Sequence, residues 1–286
     1  MSAKIIDGKK IAQHLREEMK HEIQQLNERN IQPHLTVILI GNDPASHSYV
    51  NGKEKASKEV GISSKIIRLP KDTSEDQLLN EIDILNKDEN TDGILVQLPL
   101  PKHIDEQKVI EAIHPSKDVD GFHPTNIGRM IVKKQSFLPC TPYGIIKILQ
   151  YENIEIEGKH VVVIGRSNIV GKPMGQLLLN ESATVTYCHS KTKDIKSFTK
   201  NADIIIVAVG KPNVIDESYI KEGAVIIDVG VNRVDDSRLV GDVDFDSAKL
   251  KASYITPVPG GVGPMTITML LKNTIKAAKG LRLSAK

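Results

Sequence analysis

Apolar residues fall along this chain in two alternating rhythms, short β-branched runs and stretches with helical spacing. In the first half the runs Leu35–Ile40, Ser64–Leu69 and Gly93–Val96 predict strands. Between them Ile11, Leu15, Met19, Ile23 and Leu26 recur at near-helical spacing, as do Leu78, Ile82 and Leu85. Such a stripe occupies one face of a helix. Asp43-Pro44 reads as an N-cap followed by proline at the first helical position, and Thr73 or Ser74 as the cap of the Leu78 helix. Strand and helix in alternation predict a parallel sheet with helices on its faces.

Residues Asp118 to Thr141 interrupt this rhythm with Gly121, Pro124, Gly128 and Pro139, and are read as the passage between two domains. Thr141-Pro142 then opens a helix to about Tyr151. Further strands are predicted at His160–Ile164, Thr184–Tyr187, Ile204–Val209, Ala224–Val229 and Ser253–Thr256, followed by a last helix from about Pro264 to Lys279. The predicted fold class is α/β in two domains. Residues 1–139 form the first domain, with the last helix (about 264–286) packing back on it. Residues 140–263 form a second, Rossmann-type parallel-sheet domain.

Composition narrows the function classes. At 286 residues, with 40% hydrophobic and 26% charged, the chain has the makeup of an ordinary soluble two-domain protein. A net charge of +2 supplies no field that would draw nucleic acid or a membrane surface. Aromatic residues make up 3% and there is no Trp, thin for stacking nucleobases. The first ten residues lack the apolar core of a signal peptide, and later apolar runs are too short to span a bilayer. A cytoplasmic protein without nucleic-acid or membrane partners is expected. Cys140 and Cys188 stand in no paired-ligand spacing and read as buried free thiols; no metal site is expected.

The run from Val161 to Pro173 is a strand, a turn holding Gly165-Arg166-Ser167, and a helix start near Gly171. Glycine lets the backbone approach a pyrophosphate, and the helix N-terminus offers free N–H groups to it. Ser167 stands where a second glycine is usual, so the motif is an incomplete dinucleotide fingerprint, and a packing turn would show the same pattern. NAD-selective sites place an acid at the end of the next strand. Here that strand ends in Cys188-His189-Ser190-Lys191-Thr192-Lys193, with cations and no acid. NADP is therefore the expected cofactor.

Tyr49 and Lys53 lie four apart on a predicted helix, hence on one face. Alone this is more often a surface pair than a catalytic one. The spacing matches the Tyr-x-x-x-Lys of short-chain dehydrogenases, but in that family the glycine turn opens the chain, whereas here it follows the tyrosine. Three clusters add to the pair. Val96-Gln97-Leu98-Pro99-Leu100-Pro101 ends a strand, Lys117-Asp118-Val119-Asp120-Gly121-Phe122 sets two carboxylates before a turn glycine, and Pro259-Gly260-Gly261-Val262-Gly263-Pro264 leads into the last helix. Separately they read as a strand-end loop, an Asp-Gly turn and a glycine-rich cap.

In this order, from Asp7-Gly8-Lys9 onward, the whole chain resembles the bifunctional methylenetetrahydrofolate dehydrogenase/methenyltetrahydrofolate cyclohydrolase family. The resemblance implies NADP-dependent oxidation of 5,10-methylenetetrahydrofolate, then hydrolysis of the methenyl product to 10-formyltetrahydrofolate, with folate held by the first domain and the dinucleotide by the second. It also implies a homodimer. By position, Lys53 matches the family's catalytic lysine and Gln97 the glutamine that hydrogen-bonds it. Tyr49 would stack on the folate rings and Asp120 would accept hydrogen bonds from the pterin. A free lysine, with a pKa of about 10.4, is a poor base at neutral pH, and burial beside a cationic substrate would lower it.

Substrate contacts implied in the same way fall on Tyr49, Val50, Asn51, Gly52 and Lys53, on Val96, Gln97, Leu98 and Asp120, and on Pro259, Gly260, Gly261, Val262 and Gly263. Gly165, Arg166, Ser167, Ser190 and Val231 match cofactor contacts. Two readings compete: another NADP-dependent dehydrogenase with Tyr49 as acid/base, and a dinucleotide-binding sensor without turnover.

Overall fold

The computed structural model describes residues 2–234 and 238–283. In chain order the elements begin with β1 (Lys4–Ile5), α1 (Gly8–Asn27), β2 (His34–Ile40), α2 (Pro44–Val60), β3 (Ser63–Leu69), α3 (Glu75–Lys87) and β4 (Gly93–Val96). Three helices follow, α4 (Glu106–Ala112), α5 (Pro124–Ile131) and α6 (Cys140–Tyr151). Next come β5 (His160–Ile164), α7 (Gly171–Asn180), β6 (Thr184–Cys188), α8 (Ile195–Thr199), β7 (Ile204–Val207) and β8 (Val225–Asp228). The chain closes with β9 (Asn232–Arg233), β10 (Leu239–Val240), α9 (Phe245–Ala248), β11 (Tyr254–Ile255) and α10 (Val262–Leu283).

These elements form two compact units. One comprises His14–Leu138 and the chain from Ile267 onward; the other comprises the chain up to Gln13 and Pro139–Thr266. The first unit is built on a three-stranded parallel sheet with β2 between β3 and β4. Ile38, Ile40, Ile94 and Val96 of this sheet pack with Leu78, Ile82 and Leu85 of α3. That helix starts at a capping box, Ser74 Oγ accepting from the Gln77 amide while Gln77 Oε1 accepts from the Ser74 amide. The box satisfies two of the orphan N–H groups of the helix end.

The second unit carries a six-stranded parallel sheet in the order β1-β11-β8-β7-β5-β6. Val162, Ile164, Ile205, Val207, Ile226 and Ile255 form its core, and strands this uniformly apolar belong in a sheet covered on both faces. From β5 the chain passes to β6 on one side and returns to β7 on the other. Such a reversal opens a crevice outside the carboxyl ends of the strands.

Several expectations change. The first domain was expected over residues 1–139, but β1 pairs with β11, Lys4 N donating to Ser253 O and Ile6 N to Ile255 O. Residues through Gln13 therefore group with the second half; a two-residue strand is too short to announce itself by periodicity. The stretch Asp118 to Thr141 is not irregular throughout. It contains α5, which opens on Pro124 and is capped by His123 Nδ1 accepting from Thr125 N. Helix α4 was not anticipated, its seven residues being short for a periodic stripe. Helix α10 begins earlier than expected, at Val262, and its Asn273 amide donates to the Val119 and Leu138 carbonyls. Cys140 and Cys188 are buried, and neither forms a disulfide among the described residues. Among the described residues no helix is long and apolar enough to cross a membrane.

Candidate active site

Helix α2 presents Tyr49 and Lys53 one turn apart. Asp43 caps its start, accepting from Ser46 N at 2.8 Å, with Pro44 in the first turn. Tyr49 is 47% exposed while Lys53 is 9% exposed, so the helix offers an open aromatic face beside a buried amine. The neighbouring Val50 is fully buried and Asn51 exposed. Gln97 stands just past the end of β4, where the register Ile38 to Val96 and a bond from Gln97 N to Ile38 O hold the strand. Lys53 Nζ donates to Gln97 Oε1 at 2.9 Å, and Gln97 Nε2 donates to Leu98 O at 2.7 Å. Because the Gln97 oxygen receives from the ammonium, its NH₂ group faces its own chain, which fixes the amide orientation.

Asp120 reaches the same region by a different route. Ile94 N donates to Lys117 O, so residues 117–118 lie alongside β4. Asp120 then borders a small cavity of about 20 Å³ with Val96, Leu98 and Phe122. The buried Asp118 shapes this loop. Its Oδ1 accepts from Gly121 N and Phe122 N, and its Oδ2 from His123 N and Asn126 Nδ2, at 2.8–3.2 Å. Burial pushes the Asp118 carboxyl up, against the pull of these donors. Lys117 is likewise structural: Nζ donates to Leu85 O and Asp88 O. Of the two carboxylates before Gly121, then, Asp118 holds the loop and the half-buried Asp120 is presented by it.

In the second unit the turn after β5 sets Gly165, Arg166 and Ser167 at the strand reversal. Gly165 has φ +131°, and a Cβ there would collide with the Ala208 carbonyl. A Cβ on Gly171 would collide with Gly165 O, so the helix start sits directly on the turn. Ser167 Oγ accepts from Val170 N and Gly171 N at 3.2 and 3.3 Å, standing in for the absent glycine by capping the helix. Arg166, Ser167, Ser190 and Val231 are all exposed. The end of β6 adjoins this turn, Gly165 N donating to Cys188 O, and carries no acid.

Beneath this end of the sheet lie two buried carboxylates. Asp228 Oδ1 accepts from Gly230 N and Asp242 N, and its Oδ2 from Val243 N. Asp242 Oδ2 accepts from Val209 N and Gly210 N, and its Oδ1 from Lys211 N and Asn232 Nδ2. Together they hold the loops after β7 and β8, the second of which carries Val231. Burial, with the neighbouring Asp242 adding to it, pushes the Asp228 carboxyl up to about 7. Neither was singled out from sequence. The signal was present in Asp228-Val229-Gly230 and Gly241-Asp242, acids beside glycines at the ends of apolar runs.

Sequence models of the catalytic domain and the NAD(P)-binding domain of tetrahydrofolate dehydrogenase/cyclohydrolase match residues 6–120 and 139–282. The chain belongs to this family. A bifunctional protein FolD of Oceanobacillus iheyensis is 62% identical over 279 residues, 98% of each chain. The solved FolD methylenetetrahydrofolate dehydrogenase/cyclohydrolase of Campylobacter jejuni is 50% identical, with a TM-score of 0.96 over 98% of this chain and 99% of that one. The Trypanosoma brucei enzyme, solved with NADP cofactor and an inhibitor, is 40% identical, with a TM-score of 0.94 over 98% of each chain.

The family's glycine-rich segment Pro259–Gly263 falls at the end of the second unit. Gly260 has φ +105°, and a Cβ on Gly261 would lie 2.6 Å from Pro257 O. Gly8 packs against it backbone to backbone, since a Cβ on Gly8 would collide with Gly261 O. The opening Asp7-Gly8-Lys9 of this tetrahydrofolate dehydrogenase/cyclohydrolase thus has a packing reason, and Asp7 Oδ1 also accepts from Lys10 N.

Proposed function

We propose that this chain oxidises 5,10-methylenetetrahydrofolate with NADP and hydrolyses the methenyl product to 10-formyltetrahydrofolate. The buried Lys53 joined to Gln97 is the observation that carries the second half of this reading. Hydride loss leaves a cationic amidinium that water attacks directly. The new C–O bond forms as the water gives up one proton. The resulting hydroxyl then loses its proton to become the formyl C=O as one C–N bond breaks, and the departing nitrogen takes a proton up, so that overall one proton is released. Lys53 Nζ handles these proton movements, with Gln97 orienting it. Tyr49 stacks on the folate rings, and Asp120 accepts from the pterin amino and ring N–H groups. Val50, Asn51, Gly52, Val96 and Leu98, on the same unit, belong to the proposed substrate contacts, and the family resemblance assigns Pro259–Gly263 a part in substrate binding.

When bound, NADP serves as the hydride acceptor. The residues present fit it: Gly165 permits the tight turn against Ala208 on which the start of α7 sits, and β6 ends without an acid. Arg166, Ser167 and Ser190 would hold its phosphates and ribose, and Val231 its far end. A homodimer working in the cytoplasm belongs to the same proposal. For the division of the chain, we propose that the unit holding Lys53 is the folate side and the unit holding Gly165 the cofactor side.

Absorbance time courses with 5,10-methylenetetrahydrofolate, with NADP and with NAD, test the reading alongside isolated methenyl compound. Reduced cofactor forming with NADP, together with accelerated loss of the methenyl signal, is expected. Oxidation without accelerated hydrolysis would strip Lys53 of its role.

A further inference from the structure

A surface pocket of about 380 Å³ lies on the unit that holds Lys53, between α5 and the last turns of α10. Tyr49, Lys53, Gln97 and Asp120 are not among its lining residues, and among the described residues no carboxylate lines it. Three basic side chains do line it, His114, Arg129 and Lys276. Pro115, Phe137 and Leu281 give the rest of the wall an apolar character.

Lys276 is the informative one. Its Nζ donates to Ser136 O at 2.6 Å and stands 5.5 Å from the centroid of the Phe137 ring. It is half-buried, and burial pushes its pKa down with no carboxylate offsetting that effect. A partly desolvated ammonium is ordinarily matched by a nearby anion, and among the described residues Lys276 has none. Arg129 spends only Nε, on Gln135 O at 2.7 Å. Its terminal nitrogens make no hydrogen bond among the described residues. Ser136 lines the pocket too, and its Oγ is buried with no partner among them. Asn126 stiffens the wall, its Nδ2 donating to Pro115 O and Asp118 Oδ2 and its Oδ1 accepting from Phe137 N.

We propose that this pocket is a second ligand site, for a small organic anion whose charged end pairs with Lys276 and Arg129 and whose apolar body packs on Phe137 and Leu281. An arginine and a lysine around one site suit a carboxylate or a phosphate ester. The apolar wall selects against the bare inorganic ion. Asn126 also links the wall to Asp118, and so to the loop that follows Asp120.

Benzoate serves as the probe, titrated calorimetrically into the full chain saturated with NADP so that the glycine turn is occupied. Benzyl alcohol supplies the body without the charge, and acetate the charge without the body. Benzoate is expected to bind one to one, about tenfold tighter than either control. Lys276→Met should weaken it about tenfold, while Lys276→Arg stays within about threefold. Thermal melts establish that each variant is folded; should Lys276→Met fail to fold, Arg129→Gln takes its place with an expected loss of about fivefold. Equal affinity for benzoate in parent and variant, acetate binding as tightly as benzoate, or no benzoate heat up to about 20 mM would overturn the proposal.

Discussion

Lys53 Nζ and Gln97 Oε1 meet at 2.9 Å, joining a helix to the end of a strand 44 residues further along the chain. The bond commits the amide oxygen to the ammonium and leaves the amide nitrogen on Leu98 O. Replacing Lys53 by Met should lower methenyl hydrolysis by at least about 10²-fold, the usual scale for losing a positioned proton carrier. NADP affinity should stay as it was. Stopped-flow decay of the methenyl absorbance, with a separate NADP titration, checks both halves. Gln97→Leu should produce a smaller loss of the same kind, because the lysine remains but is no longer oriented.

Asp120 is presented by a loop that Asp118 builds, so the two acids separate experimentally. Asp120→Ala should raise KM for 5,10-methylenetetrahydrofolate by roughly 10- to 100-fold, as expected for a charged hydrogen-bond acceptor, with little change in melting temperature. Asp118→Ala should instead unfold the protein at lower temperature, since it strands four donors around a buried site. Initial-rate kinetics and calorimetric melts on both variants distinguish them.

Arg166 is exposed beside the glycine turn, where the end of β6 supplies no acid. Arg166→Ala should raise KM for NADP about tenfold more than KM for NAD, if its guanidinium meets the 2′-phosphate. An equal rise for both cofactors would remove Arg166 from that role.

Asp228 introduces a pH dependence of stability. Its carboxyl sits at about 7 in the folded protein against an ordinary 3.8, with burial the main cause. Between those values the folded chain keeps a proton that the unfolded chain has lost. The contribution of this group to stability is therefore full below about pH 4, declines as pH rises, and is gone above about pH 7. Carbon-13 NMR of the Asp228 carboxyl should show a midpoint near 7, and a midpoint near 4 would remove the effect.

Much of this organisation was legible because its signals are local. The stripe Leu78, Ile82, Leu85 and the cap at Ser74 define α3 from within a few residues. The valines before Gly165 mark β5 in the same way. Helix α5 escaped because Pro124 and Gly128 read as breakers, although a proline in the first turn starts a helix as readily as it ends one. Strand β1 escaped because two residues have no period.

The sequence by itself determined the α/β alternation, the glycine turn, the missing acid after β6 and the identity of the side chains available for chemistry. These depend on neighbours in the chain. Only the tertiary structure decided that the amine of Lys53 is buried on Gln97, that Asp118 builds the loop which Asp120 uses, and that Asp228 and Asp242 hold the loops at the sheet's end. It alone brought α5 and the end of α10 together around a half-buried lysine with no acid beside it among the described residues. Burial and hydrogen-bond partnership belong to residues distant in sequence. No periodicity encodes them, and they set which side chains are spent on structure and which remain for chemistry.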